Sequence, residues 1–187
     1  MSNGDSDTQR PENLRTAYKE LCNSYRAIDD FRTKLLGFLP LATGGGIFLL
    51  VSDKAKIDFV KPYFGPIGAF GFVITLGLFF YELYGIKKCT HLIWTGRELE
   101  EELKVDAAQF TKRPPGVAGL INEPFAAGVI YPAVLAAWTF VASVFSSSCH
   151  AARWAAICVF LVGFAVLFFY NIKLIREGEK RFPPRSQ

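Results

Sequence analysis

The chain has few of the residues that catalytic and metal sites usually need. Its 187 residues include only two His, four Cys and one Met. His91 lies near Cys89 and His150 follows Cys149, but neither couple has the ligand count of a zinc site. A phosphate-binding glycine loop and a nucleophile elbow are also missing. We therefore expect no enzyme, no metal site and no cofactor.

Charge is almost missing from four long apolar stretches. They are 35–51, 64–86, 125–146 and 151–172, with 17, 23, 22 and 22 residues. A hydrocarbon core about 30 Å thick needs roughly 20 apolar residues of helix, so the last three stretches are long enough to cross it. The first reaches that length only if it extends back to Phe31 and so includes Arg32 and Lys34. The long side chains of these two residues can snorkel to the membrane interface. The sequence predicts an all-α polytopic membrane protein with four transmembrane helices in two hairpins.

The composition agrees with a single membrane domain over 1–187. Apolar residues make up 51% of the chain and aromatic residues 15%, with 18 Phe. That aromatic content is high for a soluble domain and ordinary for a small polytopic one. A soluble two-domain protein is therefore not expected.

The distribution of Lys and Arg predicts the orientation. The segments 1–34, 87–124 and 173–187 carry 17 of these residues, and the rest of the chain carries four. Since cytoplasmic loops are enriched in Lys and Arg, both termini and the central connection are expected in the cytoplasm, with the protein in the plasma (inner) membrane. No basic stripe with interleaved aromatics appears, so nucleic acid is not an expected partner.

Helical apolar spacing continues outside the membrane stretches. In 10–34 it comprises Leu14, Tyr18, Leu21, Tyr25 and Ile28, and in 87–112 it comprises Leu92, Gly96, Leu99, Leu103 and Phe110. The second helix is expected to end near Thr111, before Pro114. Each segment thus predicts a cytoplasmic helix that continues a membrane helix, and 173–187 is expected to be a cytoplasmic tail.

The two apolar seams are expected to face each other. In an antiparallel hairpin, residues whose numbers sum to about 120 lie at the same level, which pairs Leu21 with Leu99 and Tyr18 with Leu103. The sequence predicts an antiparallel cytoplasmic helical pair whose seam includes Leu21, Tyr25, Leu99 and Leu103. The acidic run 98–102 would lie beside Arg15 and Lys19, or would form a solvated helix face.

A few polar residues are candidates for a pathway or its mouth. Glu82 is the one acid within an apolar stretch, and such residues are often functional. Its place near Ile86 also suits a structural ion pair with Arg32, Lys34 or Lys87. Asp29 and Asp30 precede the first stretch, and Asn171 holds the place of Glu82 in a weak repeat of 77–82 at 166–171.

Three consecutive glycines interrupt the first stretch. Gly44, Gly45 and Gly46 weaken a helix, so something should compensate for their cost of about 1 kcal/mol each relative to Ala. Close helix packing is the favoured reason, and Gly68 and Gly71 on the second stretch are the expected partners. An unwound segment after Pro40, lining a cavity, is the alternative.

Two segments of the chain resemble sequences from a known group of proteins. The sequences at 28–40 and 81–89, about 22 residues together, resemble segments of small multi-span bacterial membrane proteins. The resemblance implies a membrane location and no particular activity. The general layout is also similar to that of small transmembrane effectors of bacterial defence systems.

Two functions are compatible with these features. The first is an oligomeric membrane channel or membrane-permeabilising effector, with the cytoplasmic helices as its assembly or sensing element. The second is a non-catalytic membrane anchor or adaptor that recruits a soluble cytoplasmic partner or braces another membrane complex. The expected partners are therefore the lipid bilayer, further copies of the chain in a homo-oligomer, and possible soluble proteins.

Overall fold

The computed structural model describes residues 4–52, 61–105, 108–113, 123–144 and 147–181. These residues form helices and short turns, without a strand. The α-helices are α1 (Gly4–Ser52), α2 (Phe64–Leu103), α3 (Glu123–Ser143) and α4 (Cys149–Arg181), and a 3-10 turn at Lys61–Tyr63 precedes α2. The all-α prediction is confirmed for the described residues.

Helix α1 is continuous across the first apolar stretch. It contains both Pro11 and Pro40 and has 49 residues, which gives a length of about 74 Å at 1.5 Å per residue. Gly44, Gly45 and Gly46 are all helical. The alternative of an unwound segment after Pro40 is therefore wrong.

Helix α2 is too long to lie wholly within a bilayer. Its 40 residues extend over about 60 Å, twice the thickness of a hydrocarbon core. The apolar part is 64–86, and the remainder continues as a polar helix. The prediction that this helix reaches about Thr111 is wrong, because it ends at Leu103, where Lys104 adopts a left-handed conformation with φ 51°.

Helices α3 and α4 form the second hairpin. Helix α3 ends at Ser143, three residues before the predicted end of its span at 146; residues 145 and 146 lie outside the described part. Helix α4 continues to Arg181, so the segment after 172 is helical for a further nine residues and is not a simple tail. Its Leu174 is buried, and Gly178 lies against the indole of Trp94 in α2.

Three helices in the described part of the chain could cross a membrane by length and composition. They are Lys61–Leu103, Pro124–Ser143 and Cys149–Gly178. The stretch 35–51 is helical but is not among these three, so the four-span count stays a prediction. The structure supports a helical membrane protein.

The apolar core joins α1, α2, α3 and α4. Its buried members include Leu39, Phe79, Tyr131 and Leu167, one from each helix in chain order. Glycines bring the helices close together: a Cβ at Gly68 would overlap Ala142, and one at Gly71 would overlap Trp138. Gly68 and Gly71 therefore lie at the contact between α2 and α3.

The polar ends of α1 and α2 run antiparallel. Arg10 of α1 contacts Glu102 near the end of α2, Tyr18 contacts Glu100, and Arg32 contacts Glu82. Residue numbers that rise along α1 thus meet numbers that fall along α2. We call residues 10–34 of α1 and 87–103 of α2 the stalk.

Candidate functional site

A buried ion pair joins α1 to α2 at the base of the stalk. The guanidinium of Arg32 donates to Glu82 Oε1 from Nε at 3.0 Å and from Nη2 at 2.6 Å. The side chains are only 4% and 0% exposed. The shape of α2 allows this approach, because the Arg32 stem lies against Gly85, where a Cβ would be 3.3 Å from Arg32 Cδ.

Two further side chains complete this cluster. Arg32 Nη1 donates to Cys89 Sγ at 3.7 Å. Tyr131 of α3 is fully buried, with its ring centre 6.1 Å from that of Phe79, and it lies within electrostatic range of both Glu82 and Arg32. The cluster thus brings together side chains from three helices, and we call it the base cluster: Arg32, Glu82, Cys89 and Tyr131.

The base cluster has unused hydrogen-bonding capacity. Glu82 Oε2 and the Tyr131 hydroxyl are both buried, and neither has a hydrogen-bond partner among the described residues. A buried polar atom without a partner costs about 1–3 kcal/mol. Chemically, the cluster can hold a charge pair away from water, and removal of either charge would strand the other.

A second polar centre lies in the stalk. The carboxylate of Glu100, only 3% exposed, accepts hydrogen bonds from the Tyr18 hydroxyl at 2.9 Å and from Phe110 N at 2.9 Å. It also accepts from Thr111 N at 2.9 Å and from Thr111 Oγ1 at 2.8 Å. Glu100 therefore fixes the segment 108–113 to both stalk helices.

The position of Phe110 depends on a reversal of the chain. The left-handed Lys104 turns the backbone after α2, and residues 108–113 return along it. The Phe110 ring then lies on Gly96, where a Cβ would overlap it, and edge-on to Tyr18 and Tyr25 at 6.2 and 5.6 Å. Phe110 was expected on the same face of a continuing helix; it belongs instead to a returning segment that packs on that helix.

The charges in the stalk perturb two pKa values. Burial alone would raise the pKa of Glu100, but hydrogen bonds from Phe110, Thr111 and Tyr18 outweigh it and lower that pKa below its ordinary 4.5. Burial and the neighbouring Glu100 carboxylate raise the pKa of the Tyr18 phenol above its ordinary 10.0. Both groups thus keep the protonation states that the hydrogen bond needs at neutral pH.

The predicted seam residues have different degrees of burial. Leu21 is buried, while Tyr25, Leu99 and Leu103 are half-buried. Two members of the acidic run 98–102 have different environments. Glu102 forms an exposed ion pair with Arg10, and Glu100 is buried. The interpretation of Glu100 as part of a solvated face is therefore wrong.

The other pathway candidates lie apart from the base cluster. Asp29 is half-buried and Asp30 is exposed, 2.6 Å from Lys34 one turn away. Asn171 lies in crevices that α4 forms with α3 near Phe125 and with α2 near Trp94. Glu82 is the one of the four candidates that belongs to the base cluster.

The prediction that Gly44, Gly45 and Gly46 pack against Gly68 and Gly71 is wrong. Gly68 and Gly71 do pack closely, but against α3 instead of α1. Around Gly44, Gly45 and Gly46, no described residue lies within 4 Å of an added Cβ. The rotation of α1 buries Leu39 and Thr43 and turns Gly44 and Gly45 away from the bundle, whereas Gly46 is half-buried on the same side as Thr43.

Sequence reasoning missed Tyr131 and Glu100 as site residues. In the sequence, Tyr131 is an aromatic residue near one end of the stretch 125–146, where such residues often lie at the membrane interface, and its place in the base cluster depends on the packing of α3 against α2. No family model, curated protein or solved structure matches the chain. Among the residues that the structure describes, no group of three or more His, Cys, Asp or Glu could hold a metal ion.

Proposed function

We propose that this chain is an oligomeric membrane channel or membrane-permeabilising effector. It is a multi-pass plasma-membrane protein with four spans, both termini in the cytoplasm, and the stalk as a cytoplasmic assembly or sensing element. The excess of Lys and Arg in 1–34, 87–124 and 173–187 supports this orientation. The helical conformation of 35–51 within α1 supports the fourth span.

The open surface of α1 at Gly44 and Gly45, which we call the glycine face, carries the oligomeric part of the proposal. Gly44, Gly45 and Gly46 occupy a continuous helix, with no described residue of the chain packed on them. Glycines cost a helix about 1 kcal/mol each relative to Ala, and small residues let membrane helices approach closely. A second copy of the chain provides the compensation that the described residues do not.

Close packing within one copy supports a pathway between copies. Where α2 meets α3, neither Gly68 nor Gly71 has room for a methyl group. Where α3 meets α4, a Cβ at Gly163 would be 3.1 Å from Pro132. At these described positions the helices pack too closely to leave room for a pathway between them, which favours passage of ions or small solutes at the interface of subunits.

Flux through liposomes tests this proposal. The purified protein should release a trapped dye or dissipate an ion gradient, and Gly45→Leu should reduce the rate at least tenfold because it separates the subunits. Gly77→Leu is the matched control, since Gly77 is also exposed with open space around it but lies on α2. Absence of flux from the wild-type protein, or equal loss in both variants, would contradict the proposal.

A groove on the stalk favours a second candidate, the non-catalytic anchor or adaptor. The groove has a volume of about 600 Å³ and lies between the outer ends of α1 and α2, where Leu14, Tyr18 and Leu103 form part of its wall and Arg10 and Glu102 provide charges. A soluble partner recruited there would copurify at fixed stoichiometry. Loss of this partner from a Leu14→Glu variant, together with absence of flux from the wild-type protein, would favour the adaptor over the channel.

A further inference from the structure

The part of α4 beyond its apolar stretch carries a basic face. Lys173, Arg176 and Lys180 are all exposed and recur at spacings of three and four residues, which places them on one side of a helix. Phe169 and Ile172 lie on the same side, at the end of the apolar stretch. The five residues, with Glu177, form a groove of about 420 Å³ that we call the basic groove.

The basic groove points away from the helix bundle. The opposite side of α4 holds Leu174, which is buried, and Gly178, which lies against Trp94. In a helix with 3.6 residues per turn, Leu174 and Gly178 are separated from Arg176 and Lys180 by about half a turn. The bases therefore face outward from the protein.

The charge of the groove is positive. Three bases face one acid, Glu177, whose carboxylate is 4.0 Å from Lys173 Nζ. Lys173 and Arg176 lie about 1.5 and 6 Å beyond the end of the apolar stretch at 172, within a headgroup layer roughly 5–8 Å thick, and Lys180 lies about 12 Å beyond that end. The ligand with matching chemistry is a phosphate that is attached to acyl chains.

We propose that the basic groove binds the headgroups of anionic phospholipids, with an acyl chain along Phe169 and Ile172. The environment of α4 favours this occupant, since only 6% of its most apolar segment is buried within the described residues, and large apolar side chains such as Leu161, Val162 and Phe169 are exposed. Lys and Arg near an anionic membrane surface contribute about 1 kcal/mol each. The proposal does not depend on pore formation.

Native mass spectrometry of the full-length protein tests the proposal. The protein is released from nanodiscs that contain phosphatidylcholine alone or a mixture with phosphatidylglycerol, and the retained lipids are counted. The wild type should retain phosphatidylglycerol in preference to phosphatidylcholine. Lys173→Gln with Arg176→Gln should reduce that preference roughly thirtyfold, because two favourable contacts are lost.

The control removes the same charge from a distant part of the stalk. The control variant is Arg15→Gln with Lys19→Gln. Both residues lie at least 16 residues, or about 24 Å of helix, before the first apolar stretch, which is farther than a Debye length of about 10 Å. This variant should keep the lipid preference. Absence of preference in the wild type, equal loss in both variants, or capture of an acidic soluble protein by the groove in place of lipid would overturn the proposal.

Discussion

Glu82 Oε1 accepts two hydrogen bonds from Arg32, at 3.0 Å from Nε and 2.6 Å from Nη2, in a position where neither side chain reaches solvent. The pair connects α1 to α2 at the end of the apolar stretches. Beyond it along α1, the glycines at 44–46 touch no described residue, and Leu39 and Thr43 provide the buried contacts. The ion pair is therefore a principal attachment of α1 to the remaining helices.

Loss of one member of this pair should destabilise the protein strongly. We expect Glu82→Gln and Arg32→Gln each to lower the free energy of unfolding by about 3–5 kcal/mol, since each leaves a buried charge without its partner. Thermal unfolding in detergent, followed by intrinsic fluorescence, measures the change. The double variant Arg32→Met with Glu82→Leu should be more stable than either single variant. A double variant as unstable as the sum of the singles would contradict a coupled pair.

Tyr131→Phe should leave the protein equally stable or more stable. The Tyr131 hydroxyl is buried without a hydrogen-bond partner among the described residues, so its removal relieves a penalty of about 1–3 kcal/mol. The same unfolding measurement applies. A destabilisation above about 1 kcal/mol would show that the hydroxyl makes a favourable bond, with a buried water or with Glu82.

Glu100→Gln should release the segment 108–113 from the stalk. The amide cannot reproduce all four hydrogen bonds that the carboxylate accepts, and we expect a loss of about 2–4 kcal/mol of local stability. Hydrogen exchange at the Phe110 and Thr111 amides reports it directly. Glu101→Gln is the exposed control and should change exchange by less than about 0.5 kcal/mol. Unchanged exchange in Glu100→Gln would contradict the account.

The stalk should respond to pH in two separate ranges. Because folding lowers the pKa of Glu100, its contribution is complete above its ordinary 4.5 and is lost as pH falls through the lower folded value. Because folding raises the pKa of Tyr18, that contribution is complete below 10.0 and is lost as pH rises through the higher folded value. Phe110 exchange protection should therefore stay constant between about pH 5 and pH 9, and a fall near pH 7 would contradict the assignment.

Gly71→Ala should destabilise the contact between α2 and α3. An added Cβ would overlap the Trp138 ring, and overpacking of this kind costs about 1–3 kcal/mol. Gly77→Ala is the control on the same helix, where the added Cβ meets open space. Thermal unfolding should separate the two variants clearly. Equal stability of both would show that Trp138 moves without cost.

The sequence was sufficient to predict the helices and the antiparallel contact of the stalk. Apolar spacing repeats over many turns. The residue numbers of the contacts of Tyr18 with Glu100 and of Arg32 with Cys89 sum to 118 and 121, near the predicted register of about 120. The ion pairs of Arg10 with Glu102 and of Arg32 with Glu82 sum to 112 and 114. The ion pair of Glu82 with Arg32 was also among the alternatives. These features depend on the periodicity of apolar residues and on charged residues within apolar stretches, both of which can be read directly from the amino-acid sequence.

The features that the sequence did not reveal depend on chain reversal and helix rotation. Lys104 adopts a left-handed conformation without the glycine that usually signals one, so the sequence predicts that α2 continues. It places the acidic run that contains Glu100 either beside Arg15 and Lys19 or on a solvated face. The glycines of α1 and α2 both favour close packing, but their partners depend on which side of each helix faces the bundle. Apolar sequence leaves that rotation undetermined.

The central claim is that copies of this chain associate through the glycine face of α1, and the mass of the protein in nanodiscs or detergent, by mass photometry or light scattering, tests it most directly. We predict an oligomer for the wild type and for Gly77→Leu, and a monomer for Gly45→Leu. A monomeric wild type, or an oligomer that Gly45→Leu leaves intact, would contradict the account.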